Sequence, residues 1–246
     1  MSSNAKSFLS KLKDLNDSNT VTVKVPSTGK NAEFKLASVS QQKALLRTAF
    51  DGVDGVITRV AAANQIIAEN SVDDVEFLII DKPAILIALR DASIGTKITV
   101  ADKEYDLKDV TAIKKSDVKL KHKVDHDGIT VNLKVPTLAV DTEVSTKLSK
   151  EFAKYETVED KIKQSVDVVV AYETVKYIDT VTVGEDTISF GDISVYERKE
   201  IISNLPLALN NKIIEYIGDI KEVTDKAMTV AEEVVVEIDA SFLSSD

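Results

Sequence analysis

The chain has 246 residues, of which 43% are hydrophobic and 5% aromatic with no tryptophan, so it holds enough aliphatic material for one large or two modest domains. A net charge of −10 argues against a general nucleic-acid binder, which needs Lys and Arg to displace counterions, and reads as a solubility feature. The absence of cysteine removes disulfides, thiol nucleophiles and thiolate metal sites.

The first segment, MSSNAKSFLSKLKDL, lacks an apolar run long enough for a signal peptide. TVTVKV then sets Val21, Val23 and Val25 on one face of a strand, and AEFKLA alternates Phe34 and Leu36 with Glu33 and Lys35. Between them, VPSTGK carries a glycine–lysine pair flanked by hydroxyls, as a phosphate loop would. A Walker loop needs an earlier glycine and a hydroxyl after the lysine, because backbone N–H groups wrap the phosphates and the hydroxyl reaches magnesium. Here Lys24 stands at the first position and Asn31 at the last. Two alternating runs around Pro-Ser-Thr-Gly predict a hairpin instead.

Ser38 and Gln41 fit a capping box, opening a helix with Leu45, Leu46, Ala49 and Phe50 at helical spacing and ending at Asp51-Gly52. Further helices are predicted from Val53 or Val56 to Asn70 and from Val72 to Ile80. Another is capped by Asp81, with Pro83 in its first turn and Ile85, Leu86, Ile87 and Leu89 leading to Arg90. Gly95 closes this part. The most apolar stretch, FLIIDKPAILIAL, is interrupted by Asp81, Lys82 and Pro83 and is too short to span a bilayer.

From Thr96 the period changes to two. TKITVADKEYDL reads as a hairpin, and VKLKHKV and ITVNLKV alternate around Asp127-Gly128, among the clearest hairpin signals available. After Leu138 helices return: about Thr142 to Tyr155, then Thr157 to Tyr177, which starts helically with Ile162 and Val166 but runs into an ambiguous β-branched VDVVV. DTVTVGEDTISF is a further hairpin around Gly184-Glu185-Asp186. Ser194 and Glu197 form a second capping box, opening a helix that stops at Pro206. Leu209, Ile213, Ile214, Ile217 and Ile220 stripe another helix, and EEVVVEIDASFL reads as a terminal strand. The expected fold class is α+β. An N-terminal hairpin-plus-helices part covers 1–95 and a central small antiparallel β unit covers 96–137. A mostly helical part ending in a strand covers 138–246.

Chemistry is sparse in this pattern. His122 and His126 flank the Asp-Gly turn beside Asp125 and Asp127, but ligands on one hairpin loop do not enclose a metal, and His122 is read on the solvent-facing register. The acidic clusters Asp73-Asp74-Glu76, Glu185-Asp186 and Glu232-Glu233 sit at turns or element ends, where carboxylates favour water or helix N-termini. General acid–base work needs one carboxyl desolvated. No serine has a G-x-S-x-G setting.

An ordered set of elements goes beyond generic fold signals. It comprises Pro26-Ser27-Thr28-Gly29, Arg90-Asp91-Ala92-Ser93-Ile94-Gly95, Tyr105-Asp106-Leu107 and Leu133-Lys134-Val135-Pro136-Thr137, followed by ERKEIISNLP, NNKIIEYIGDI and VEIDASFL. This order resembles the baseplate proteins of T4-like contractile-tailed bacteriophages, in particular the hub and hub-assembly group, over roughly residues 20 to 246. One departure is that VADKEYDLKDV lacks the cysteine pair that suggests a zinc staple in relatives, so no zinc and no other cofactor is expected.

The resemblance implies a structural or assembly protein of a phage tail baseplate hub, working by protein–protein contact without catalysis. It would reside in the virion tail or in the host cytoplasm during assembly. Its partners would be other hub or tail proteins, not nucleic acid, membrane or a small-molecule substrate. Phe242 and Leu243 are the candidate partner contacts, with burial in the chain's own core as the competing reading. The alternatives are an assembly chaperone absent from the mature virion and a small carboxylate-dependent hydrolase.

Overall fold

The computed structural model describes residues 3–155, 157–231, 234–239 and 241–244. Its first element is a helix, Ser3–Ser18 (α1), which sequence reasoning did not assign. Thr20–Lys24 (β1) and Asn31–Lys35 (β2) pair antiparallel, with Val23 opposite Ala32 and Val21 opposite Phe34. The VPSTGK turn is no phosphate cradle. Val25 donates to the Lys30 carbonyl, Gly29 donates to Val25, and Val25, Pro26 and Ser27 are buried.

Val39–Thr48 (α2) begins at the expected capping box. Gln41 N–H donates to Ser38 Oγ, and Ser38 N–H donates to the Gln41 side chain at 2.9 Å. It ends earlier than its apolar spacing suggested, leaving Phe50 89% exposed beyond the cap. Gly55–Asn70 (α3) matches expectation.

The helix predicted over 72–80 does not form. Phe34 bridges Ser71, Val72 N–H donates to the Glu33 carbonyl, and Glu33 N–H donates to Asp73, so the outer edge of β2 holds this segment extended. Only a short 3-10 turn, Ile79–Asp81, precedes Lys82–Ile94 (α4). Asp81 does not cap α4 with its side chain. Its carboxylate instead accepts from Leu78 N–H and from Ser27. Gly95 ends α4 at φ +97, a conformation that a β-carbon would strain.

Lys97–Val100 (β3) and Lys103–Asp106 (β4) form the second hairpin. Lys121–His126 (β5) and Ile129–Lys134 (β6) form the third. Asp127 and Gly128 both take positive φ, +47 and +79, as a two-residue primed turn requires.

This last hairpin does not close on itself. After Leu138–Phe152 (α5) and Val158–Val175 (α6), Ile178–Val183 (β7) returns to pair with β6. Asp186–Ser189 (β8) then completes a four-stranded antiparallel sheet of order β5-β6-β7-β8. The VDVVV run is helical because burial follows a 3.6 period there: Val168, Tyr172 and Val175 all enter the core, and packing overrides β-branched propensity. Ile162 and Val166 lie on this helix, but their side chains are outside the described set.

Val195–Ser203 (α7) opens on the Ser194–Glu197 capping box. Leu207–Lys226 (α8) buries Leu209, Ile213, Tyr216 and Ile220. Tyr216 takes a place that the all-aliphatic stripe had given to Ile214, which is 44% exposed. Of the expected terminal strand, only Val234–Val235 (β10) is strand among the described residues, paired with Thr229–Val230 (β9) just before it. The chain then leaves the sheet, and a turn over 241–243 seats Phe242 and Leu243 in the interior.

Apolar side chains gather in two clusters. One joins the first hairpin, α3, α4, the second hairpin and the C-terminal residues around Phe34, Ile67, Leu86 and Phe242. The other joins the four-stranded sheet to α5–α8 around Val131, Phe152, Phe190 and Ile213. Helix α5 serves both, with Leu138 in the first and Val144 and Leu148 in the second. Among the described residues, no helix is long and apolar enough to cross a membrane.

Candidate functional site

Among the described residues, buried charges gather where the two clusters meet. Asp141 stands on the buried face of α5, three residues after Leu138 and three before Val144, and is 3% exposed. A carboxylate there requires internal partners, since an isolated ion in a low-dielectric interior is very costly.

It has three. Asn64 of α3 donates at 2.9 Å, Lys82 of α4 at 3.0 Å, and Lys176, just after α6, at 2.8 Å. Lys176 also meets Glu173 at 2.6 Å, and its side chain is 6% exposed. The network therefore ties α3 and α4 of the first cluster to the end of α6 in the second, through α5.

Burial alone would push the Asp141 carboxyl up. The Lys82 and Lys176 ammonium groups, helped by hydrogen bonds from Asn64 and Lys176, outweigh it and hold the group well below the usual carboxylate range. Burial alone would likewise lower Lys176, but Asp141 and Glu173 hold it above the ordinary lysine value. Both groups stay charged across the neutral range. General acid–base catalysis needs a proton that moves near the working pH, so this pair is built to hold helices rather than to transfer protons. Asn64 Oδ1 is buried with no hydrogen-bond partner among the described residues.

A groove of about 770 Å³ opens over this network, with Val60, Pro83 and Met228 among its apolar walls. Its charged lining balances, four basic side chains against four acidic, so it presents no strong potential of either sign. A second groove, of about 870 Å³, lies between α3 and α5 beneath the extended 71–77 segment. It gathers the Asp73-Asp74-Glu76 cluster at its rim, with all three side chains exposed.

The remaining sequence candidates separate. His122 shares the inward register with buried Val124 and stacks on Tyr216 at 5.5 Å, which corrects its solvent-facing assignment. His126 lies 3.3 Å from Asp127. Glu185 and Asp186 are exposed in the β7–β8 turn. Glu232 and Glu233 lie outside the described residues. Phe242 and Leu243 are 0% and 4% exposed and pack in the interior of this chain.

The residues that carry the family resemblance act as internal clamps. Ser27 N–H and Oγ each donate to Asp81 at 2.8 Å. Burial raises the Asp81 carboxyl, with the bonds from Leu78 and Ser27 opposing it. Arg90 is 1% exposed, donates to the carbonyls of Phe242, Ser244 and Lys97, and lies 5.8 Å over the Phe242 ring. Ser93 accepts from Ala37 N–H, Asp106 from Lys108 N–H, and Thr137 caps α5. Each fixes backbone that side-chain packing alone would leave unspecified.

Sequence reasoning missed Asp141, Asn64, Lys82 and Lys176. The one local signal was an acid placed in an apolar helical stripe (Leu138, Val144, Leu148), which demands a counter-charge without saying from where.

The chain was compared with known families, curated proteins and solved structures. The family model described as "T4 bacteriophage base plate protein" matches residues 18–238. No curated protein and no solved structure matches the chain.

Proposed function

The chain belongs to the T4 bacteriophage base plate protein family, and we propose on that premise that it is a component of the baseplate hub. In this reading it acts through protein–protein contacts and carries no catalytic residues. The family membership makes it a phage baseplate structural protein of the virion tail; the hub position and the non-catalytic mode are the further step.

The observation that supports the non-catalytic mode is the use made of the buried ionisable groups, while the hub position rests on the ordered motif set alone. Asp141 and Lys176 are locked to each other and to Lys82, Glu173 and Asn64 at 2.6–3.0 Å. Asp81 is occupied by Ser27 and Leu78, and Arg90 by backbone carbonyls. Chemistry-bearing side chains are spent on rigidity, as a scaffold that transmits load to its neighbours requires. Large apolar side chains are meanwhile left on the outside: Phe50 at 89%, Leu207 at 74% and Tyr196 at 67% exposure. Of these, Phe and Tyr are residue types enriched at partner surfaces.

The test is co-expression of the full chain with the hub and tail-initiator proteins of the same phage. A stable stoichiometric complex that survives purification is expected. Failure to associate with any of them, or turnover of an ester, amide or glycoside that is lost on Asp74→Asn with Glu76→Gln, overturns the proposal.

A further inference from the structure

The last segment of the chain is tied by its backbone mostly to itself. Strand β10 pairs with β9, and Val236 N–H donates to the Met228 carbonyl at 2.7 Å. Beyond Val236, the backbone–backbone bonds among the described residues are local. Phe242 N–H donates to the Asp239 carbonyl and Ser244 N–H to the Ser241 carbonyl. Ser241 N–H and Oγ both donate to the Asp239 carboxylate.

Side chains and one arginine make the hold on the rest of the protein. Val236, Phe242 and Leu243 are 2%, 0% and 4% exposed and join the apolar cluster around Phe34, Ile67 and Leu86. Arg90 donates to the Phe242 and Ser244 carbonyls, and Gln42 Nε2 donates to Ser244 Oγ at 3.4 Å. A turn with internal main-chain bonds and apolar anchors seats as a plug, as an anchored peptide fills a groove.

The plug hangs on a short connection. Three residues, 231–233, join β9 to β10. The first of them, Ala231, takes φ +43, a conformation disfavoured for a residue that carries a β-carbon. Opening this hinge into extended backbone relieves the strain.

We propose that the segment from Val234 onward is exchanged between two copies of the chain. Strand β10 of one copy then pairs with β9 of the other, and its Phe242–Leu243 plug fills the other's Arg90 pocket. The occupant is fixed by what the pocket already holds, since a second copy carries the same sequence. Reciprocal exchange closes a two-fold pair in which both pockets are filled, and short hinges under strain favour it. The inference goes beyond the hub proposal and stands whatever place the chain takes in the baseplate.

Refolding the full chain at high concentration and separating the products by sedimentation tests it. A dimer that persists on dilution is expected beside the monomer. Ala231→Gly, which accepts positive φ, should lower the dimer fraction about fivefold, and Ala231→Pro, whose ring forbids it, should raise it about as much. The chain has no cysteine, so Gln42→Cys with Ser244→Cys places one thiol on the body and one on the plug. A short bis-maleimide should join these thiols between chains in the dimer, giving a covalent dimer on a denaturing gel, and within one chain in the monomer. A protein that stays monomeric with Ala, Gly and Pro at the hinge overturns the proposal. So does a dimer cross-linked only within its chains, or a dimer fraction that neither hinge change moves.

Discussion

Replacing Asp141 by Asn keeps the side chain's size and removes its charge. Lys82 and Lys176, whose side chains are 14% and 6% exposed, would then stay buried with Glu173 as the remaining close counter-charge. Removing one partner of a buried ion pair costs about 3–5 kcal/mol, because the other charge is left uncompensated. Glu173 is 44% exposed, and it still neutralises part of the Lys176 charge, so the expected loss is at the lower end, about 3 kcal/mol. For a chain of this length each kcal/mol shifts the melting temperature by about 2–4 °C, so Tm should fall by roughly 6–12 °C.

Lys176→Met should cost less, about 1–3 kcal/mol, because Lys82 and Asn64 still hold the carboxylate. The double variant removes both charges together. It should be less destabilised than the sum of the single changes by at least about 1 kcal/mol, as side chains in one network require. Calorimetry and urea denaturation of the four proteins give the cycle. An Asp141→Asn protein as stable as the parent, or additivity within about 0.5 kcal/mol, would refute the view that this network rivets the two apolar clusters.

Other expectations follow from the same contacts. The stability contributed by Asp141, whose folded-state pKa is depressed, is present above the ordinary carboxylate value near pH ~4 and lost as pH falls through the folded value below it. That of Lys176, raised, is present below the ordinary lysine value and lost as pH rises through the higher folded value. The stability gap between parent and Asp141→Asn in urea should therefore stay level from about pH 5 to about pH 9 and narrow in stronger acid. Ser27→Ala removes one of the hydrogen bonds to buried Asp81 and should cost about 1.5–3 kcal/mol, read as a lower urea midpoint at constant slope. Phe242→Ala opens a cavity beneath Arg90 and should cost about 3–5 kcal/mol in a melt of the isolated chain. Full stability together with weakened association to a hub partner would instead make Phe242 a contact residue.

Local signals carried much of the fold. The four hairpins followed from alternation and from turn residues that tolerate positive φ, as at Asp127-Gly128. Two helices began where Ser38–Gln41 and Ser194–Glu197 satisfy free N–H groups reciprocally. What was not legible is non-local. The 72–80 segment has helical spacing, yet hydrogen bonds from β2 hold it extended. Strand β7 joins β6 only after two intervening helices, a pairing that no window of sequence contains. The terminal apolar run looked like a strand, but Arg90 draws its last residues inward by their carbonyls.

The site was less legible than the fold for the same reason. Asp141 is informative only beside Asn64, Lys82 and Lys176, which lie 35 to 77 residues away. The motif set that resembles the baseplate family was legible as an ordered pattern, and its residues Ser27, Arg90 and Thr137 hold buried or capping positions.

The central claim is that this protein is built into the tail as a contact-making part. Quantitative mass spectrometry of purified phage tails tests it most directly. The chain should be found at a fixed ratio to the hub proteins, with cross-links to them. Its absence from intact tails, when it is abundant in the infected cell, would contradict the claim.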